Sequence, residues 1–500
     1  MSETLRSSIQ RIIESGYQLS ADGFEYLKTL QEGDLEELVR HAVQKANTSA
    51  YNRYILDQSF LQSVLEEVLS KKEPRRFITG KIRGRPLASE YEAQLDVLDN
   101  GPAEPSGNVE GFVEYFRSRY RKIEGILRKR LDVKDAVTID RALKMPLKSK
   151  LKVIGIVTRK RARGARLFME LDDHEGSITV MASDDETVRK GLMLLEDQVV
   201  CVDALKYRQD LLIANDIIWP DVPSKKPKRS EALLCAAFIS DIHVGSKHFN
   251  EELFDRFIRW MNSEVGPQKS RRLSARVKYV IIAGDLVDGI GIYPEQINEL
   301  EIHDIKEQYD AAASLLYNMP EHVEIVIIPG NHDAVRKSLP QPPISKEYAY
   351  RLHEDSRIHM LGNPSRLLIN GVEALICHGK ALDDVLSQTP GLDFHSPLKG
   401  MELLLKCRHL APTYGSSTPL SPEKEDRMVI VSTPDIFQMG HIHVHNSMRY
   451  KGVTMIASGT WQEQTSFQRK MNLTPTPGIA SILDLQTHQH TSIDFNMLGR

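Results

Sequence analysis

The sequence predicts a multidomain α+β protein, and three observations predict it. Apolar stripes at helical spacing recur through residues 1–72. Short strands interrupted by one helical stretch occupy 146–222. From 233 to 500, continuous apolar runs of the kind that form strands buried on both faces alternate with helical patterns. A chain of 500 residues also exceeds what one hydrophobic core usually organises, so several domains are expected.

Composition narrows the classes. A net charge of −3 and a pI of about 6.6 argue neither for nor against nucleic acid until the charge distribution is examined. No apolar run approaches the roughly 20 residues that span a bilayer. The opening Met-Ser-Glu-Thr-Leu-Arg lacks a signal peptide's apolar core, so a cytoplasmic protein without membrane contact is expected. Cys201, Cys235, Cys377 and Cys407 are widely spaced, which fits reduced thiols rather than disulfides.

In chain order, residues 1–72 read as a small helical module, with Leu5, Ile9, Ile12 and Ile13 on one stripe and Phe60, Leu61, Val64, Leu65, Val68 and Leu69 on another. Residues 73–108 dissolve into Gly, Pro, Ser and mixed charge and read as a flexible linker. Residues 109–145 form a basic helical connector. Its Phe112, Phe116, Ile123 and Leu127 lie among Arg117, Arg119, Arg121, Lys122, Arg128, Lys129 and Arg130, which form either a solvated face or a phosphate contact. Residues 146–222 give three strands, a helix and two strands, the order of an OB-fold β-barrel. Between its first two strands, Arg159, Lys160, Arg161, Arg163 and Arg166 make a cationic loop where such barrels meet a single strand, with Phe168 placed to stack a base. A barrel that contacts only another protein fits the same residues. Residues 223–232 read as a linker, whose Lys225-Lys-Pro-Lys-Arg229 run suits a nuclear signal or a solvated hinge.

Residues 233–500 carry five junctions where a buried strand runs into polar residues. They are Asp241-Ile-His243, Gly284-Asp285 with Asp288 beyond, Gly330-Asn331-His332-Asp333, His378-Gly379, and Gly440-His441-Ile-His443. If these strands share a sheet, their ends converge and Asp241, His243, Asp285, Asn331, His378, His441 and His443 become neighbours. Each alone reads as a helix cap or a core histidine; five in order read as one site. Carboxylate, imidazole and amide oxygen without thiolate suit Mn, Mg, Fe or Zn, and seven donors are too many for one ion. Two ions about 3.5 to 4 Å apart would use the set and activate a water for attack on phosphorus. Cys377 alternates with His378 and points to the other strand face.

These motifs, in this order, resemble the calcineurin-like metallophosphoesterase superfamily. The resemblance implies a two-sheet α/β sandwich over 233–500, one metal on Asp241, His243, Asp285 and His443, and another on Asp285, Asn331, His378 and His441, with Mn expected. It also implies that His332 protonates the leaving oxygen and that Asp288 orients it. Asp288 is followed by Gly-Ile-Gly-Ile-Tyr-Pro294 rather than Arg-Gly, which disfavours a protein phosphatase. The phrases Ser240–Ser246, Gly284–Pro294, Arg408–Gly415, Pro434–Phe437 and Gly459–Gln468 resemble the small-subunit family of archaeal family D DNA polymerases. That resemblance implies a 3′-5′ proofreading exonuclease acting on a single-stranded 3′ DNA end, with a large subunit performing synthesis. A sliding clamp or a primase is a further candidate partner, and Arg408 is a further candidate DNA contact. The rival readings are a non-catalytic scaffold subunit and a general metallophosphodiesterase.

Overall fold

The computed structural model describes residues 3–28, 30, 32–46, 55–58, 60–62, 64, 85–98 and 108–498. The chain divides into two compact units, Met1–Gly80 and Lys81–Arg500. In the first, helices Glu3–Glu14, Ala21–Lys28 and Glu32–Ala46 accompany a parallel pair of two-residue strands, β1 (Gln18–Leu19) and β2 (Ile55–Leu56). Leu5, Ile12, Leu27, Leu38, Leu56, Leu61 and Val64 form its core. Ile13, expected on the buried stripe, is 62% exposed, because the face packed by Leu5, Ile9 and Ile12 does not reach round to it. Leu65, Val68 and Leu69 lie outside the described residues.

The expected 73–108 linker contains structured chain. Residues 87–90 form a 3-10 turn, and β3 (Leu95–Val97) adds antiparallel to a sheet edge. The edge strand's unpaired backbone groups find partners there. Such main-chain pairing leaves little trace in composition.

The barrel comprises β4 (Lys150–Arg163), β5 (Arg166–Asp172), β6 (Ser177–Ala182), β7 (Val199–Arg208) and β8 (Leu211–Ile218), closed in the order β4-β5-β6-β8-β7. Alternate residues of β5 and β6 point inward, so Leu167, Met169, Leu171, Ile178 and Val180 meet Val153, Val157, Val200 and Val202 in its core. The helix Asp185–Leu192 between β6 and β7 starts at Asp184, whose side chain accepts from Thr187 N.

Two six-stranded sheets follow. One has the order β12-β11-β10-β9-β18-β19, built from β9 (Cys235–Ile239), β10 (Val277–Ala283), β11 (Glu324–Ile328), β12 (Ile358–Met360), β18 (Ile479–Asp484) and β19 (His490–Asp494). The other is β16-β17-β15-β14-β13-β3, with β13 (Ser365–Ile369), β14 (Val372–Cys377), β15 (Ile436–Met439), β16 (Asn446–Tyr450) and β17 (Val453–Ala457). Phe238, Tyr279, Ile281 and Val326 from the first sheet pack against Leu367, Ala374, Ile376, Ile436 and Ile456 from the second. Helices Glu251–Met261 and Ile305–Leu316 cover the outer face of one sheet, and Leu382–Gln388 and Pro397–Cys407 that of the other. With both faces covered, β9, β10 and β14 are buried along their whole length, which explains their unbroken apolar runs.

The helix Val109–Leu127 ties barrel to sandwich. Tyr120, Ile123 and Leu127 pack on Ile154, Val199 and Cys201 of the barrel and on Val429. Arg119, expected on a basic face, is instead fully buried with its guanidinium on Asp426, Pro412 O and Asp197 O. Lys122, Arg128 and Arg130 also pair within the chain, with Glu425, Glu124 and Asp132. The 223–232 segment is likewise no free linker: Lys225 pairs with buried Asp435, and Lys228 N donates to the same carboxylate. All four cysteines are buried and unpaired. No described helix is long and apolar enough to cross a membrane.

Candidate metal centre

Because β9, β10 and β11 are parallel neighbours, and β14 and β15 are also, their carboxyl ends open onto one rim. The seven expected ligands gather there in two groups. Asp241, His243 and His443 offer donor atoms close enough to hold one ion, and Asp285, His378 and His441 form a second such group. His443 Nε2 is 3.2 Å from Asp241 Oδ1 and 3.1 Å from His243 Nε2. His378 Nε2 is 3.2 Å from Asp285 Oδ2 and 3.0 Å from Asn331 Oδ1. Asp285 Oδ2 also lies 3.9 Å from His243 Nε2, so this carboxylate stands between the groups.

The backbone is strained to achieve this. Asp241, His243, Asp285, His441 and His443 all have φ between 51° and 70°. Non-glycine residues in that region cost about 1–3 kcal/mol each and persist where the surroundings over-determine them, commonly at functional sites. The adjacent glycines supply clearance. A Cβ on Gly330 would collide with the Asp285 carboxylate, and one on Gly440 with Ser240 and Asp241.

Partners on the far side of each ring fix which nitrogen faces the cluster. His243 Nδ1 lies 3.0 Å from Asp288 Oδ1, and His378 Nδ1 is 2.9 Å from Ala283 O, leaving both Nε2 atoms turned inward. His441 Nε2 is 3.0 Å from Asp383 Oδ1, which leaves Nδ1 for an ion. Asp383 was not legible in the sequence, since it sits on the helix Leu382–Gln388 and not at a strand end. Asp333 is not a ligand: its carboxylate accepts from Gly330 N and Tyr309 OH, bracing the turn that presents Asn331 and His332.

Asp288 meets His332, the residue it is expected to orient, through its backbone. The Asp288 carboxylate orients His243, with Gln462 and Gln296 completing its contacts. His332 instead lies with Nδ1 2.7 Å from the Asp288 carbonyl, the Asp288 carboxylate being 3.9 Å away. The strand-end turn carries the imidazole to the backbone before it reaches the side chain. His332 Nε2 is then the free atom at the cleft.

Electrostatics follow from the crowding. Burial opposes every charge here, yet the histidines hold Asp285 well below the usual carboxylate range and lower Asp241. For His378, Asp285 and Asp241 overcome burial and raise its pKa to about 9. For His332, burial prevails and lowers it to about 4. Cys377 beside the site has its thiol pushed up to about 12 by burial, so it offers no thiolate. Carboxylate, imidazole and amide donors therefore fit hard or borderline divalent ions.

The cationic loop expected at the barrel is a regular hairpin, with the turn at Gly164 and Ala165, because strand pairing between β4 and β5 continues to Arg163–Arg166. Arg161, Arg163 and Arg166 are exposed, and Arg159 lies 3.7 Å from Glu170. Lys160 turns inward to the carbonyls of Leu192 and Leu194. Phe168 is capped by the Arg163 guanidinium, 5.9 Å from its ring centroid. Arg408, expected as a DNA contact, is 3% exposed, and its guanidinium is turned to Thr433 and Val431 O.

A family model that describes the B-subunits of DNA polymerases alpha and epsilon matches residues 236–446. The chain is 38% identical over 455 residues to a DNA polymerase II small subunit of Pyrococcus horikoshii, covering 87% of this chain and 73% of that one. It is 42% identical over 384 residues to the corresponding subunit of Archaeoglobus fulgidus, covering 76% of each. The Methanothermobacter thermautotrophicus subunit is 40% identical over 382 residues, 76% of this chain and 78% of that one. The chain belongs to the archaeal DNA polymerase II small-subunit family. All seven candidate ligands of this small-subunit chain, with Asp288 and His332, fall inside the 236–446 match.

Proposed function

We propose that this small subunit is a metal-dependent 3′-5′ exonuclease that proofreads for a two-subunit archaeal replicative DNA polymerase. The observation that carries the reading is the pair of adjacent donor groups, with Asp285 of one 3.9 Å from His243 of the other and His332 Nε2 free beside them. The relatives are named small subunits, which supports a large polymerising partner for this chain. Its substrate is the single-stranded 3′ end of DNA.

Asp241, His243, Asp285 and His443 would hold one divalent ion, and Asp285, Asn331, His378 and His441 the other, with Mn the favoured metal. When bound, the ions would supply a water that is nucleophilic near neutral pH and neutralise charge on the phosphate. The chain does the rest. Asp288, Ala283 O and Asp383 hold His243, His378 and His441 in one tautomer each. His332 is held by the Asp288 carbonyl with Nε2 towards the cleft. An approaching phosphodiester anion favours the protonated imidazole, and Nε2 delivers its proton to the leaving 3′-oxygen.

The test is digestion of 5′-labelled single-stranded DNA by the chain with Mn, beside His332→Ala. Loss of nucleotides from the 3′ end, slowed about 10²–10⁴-fold in the variant, is the expected result. No digestion, with or without a large subunit, removes the nuclease reading and leaves a scaffold. Hydrolysis confined to small phosphodiesters leaves a general phosphodiesterase.

A further inference from the structure

The cleft over the metal centre is a cavity of about 250 Å³ whose lining mixes charged residues such as Lys380 and Asp383 with apolar ones, among them Ile292, Tyr293, Phe394 and Phe467. Phe467 is 49% exposed beside a cluster of carboxylates and histidines, where core packing gives no reason for a phenyl ring. Its helix, Ser466–Lys470, buries none of its residues.

That helix is nevertheless firmly held. Thr465 and Gln468 close a reciprocal cap, and Gln468 Nε2 lies 2.8 Å from His443 Nδ1. Glu299 accepts from Tyr293 OH at 2.9 Å, and it also bonds Ser466. The two rings are thereby fixed as a stacked pair, 5.9 Å between centroids and 29° between planes. Tyr293 stands 6.4 Å from the His332 ring. The pair thus borders His332 at Tyr293, and the helix that carries Phe467 reaches His443 through Gln468.

We propose that Tyr293 and Phe467 form a stacking platform for the 3′-terminal nucleobase of a bound DNA strand. The proposal rests on the nuclease reading and names the subsite that reading lacks. Every base presents a π-face, so such a platform grips an end without reading its sequence. Polar bonds hold the platform in advance, so little ordering is required on binding.

The test compares two single-stranded 12-mers, one ending in thymidine and one in an abasic 3′ residue. Binding to the full chain is read by fluorescence anisotropy in Ca²⁺, and hydrolysis is read separately in Mn²⁺. The wild type binds the thymidine end roughly tenfold tighter, the scale of one base on an aromatic ring. Phe467→Ala loses that preference while melting as the wild type does, and Phe467→Trp keeps it. Equal binding of both ends by the wild type, or a preference undiminished in Phe467→Ala, overturns the platform even if hydrolysis proceeds. A base preference that follows Phe467 without any hydrolysis upholds the platform as a strand-end site and removes the nuclease reading alone.

Discussion

Asp285 carries more of the site than any other residue. Its Oδ2 faces His378 and His243, its Oδ1 accepts from His332 N, and Gly330 leaves room for it. The carboxylate explains why the pKa of His378, fully buried, is raised to about 9. At neutral pH that ring carries a proton on or near the atom an ion needs. Metal binding must therefore release protons, and affinity should rise with pH up to about 9. Calorimetry of Mn binding near neutral pH in two buffers of different ionisation enthalpy should show a buffer-dependent heat that shrinks above pH of about 9. Equal heats in both buffers would mean that His378 is already neutral. The seven candidate positions gather at one rim, as expected, because each follows a buried apolar run. Asp383, Gln468 and the Asp288–His243 contact were not, since each depends on how distant loops meet.

Among the elements, the helix Val109–Leu127 keeps Arg117 and Arg121 exposed, as its dense run of Arg and Lys suggested, but burial at Arg119 is decided by what packs against the helix. Arg119 meets Asp426, 307 residues away, and both side chains are fully buried. His409 shares that carboxylate at 2.8 Å. Removing one member of a buried pair leaves an uncompensated charge, so Arg119→Met should destabilise the Lys81–Arg500 unit by about 3–5 kcal/mol. Urea denaturation followed by tryptophan fluorescence measures this, and the same change in an Asp426→Asn background should cost much less. By contrast, the barrel strands were legible to within a few residues, because inside–outside alternation is local. The extension of β4 through Arg163 was missed because an Arg-rich hairpin tip carries no apolar signal.

In the molecule as a whole, the barrel, the Val109–Leu127 helix and the two-sheet sandwich form one compact unit, whereas Met1–Gly80 is a separate one. The sequence suggested independent domains joined by linkers at 73–108 and 223–232. Main-chain pairing by β3 and the grip of Asp435 on Lys225 and Lys228 instead fasten parts of those segments to the sandwich. The sandwich matters for function because it brings five strand ends from two sheets to one rim, where the proposed chemistry requires two ions sharing Asp285. Electron paramagnetic resonance of the chain titrated with Mn²⁺ tests that requirement most directly. Two ions per chain with an exchange-coupled spectrum are expected, with loss of the coupled signal in Asp285→Asn. A single uncoupled ion, or no bound Mn²⁺ at all, would contradict the shared-carboxylate centre.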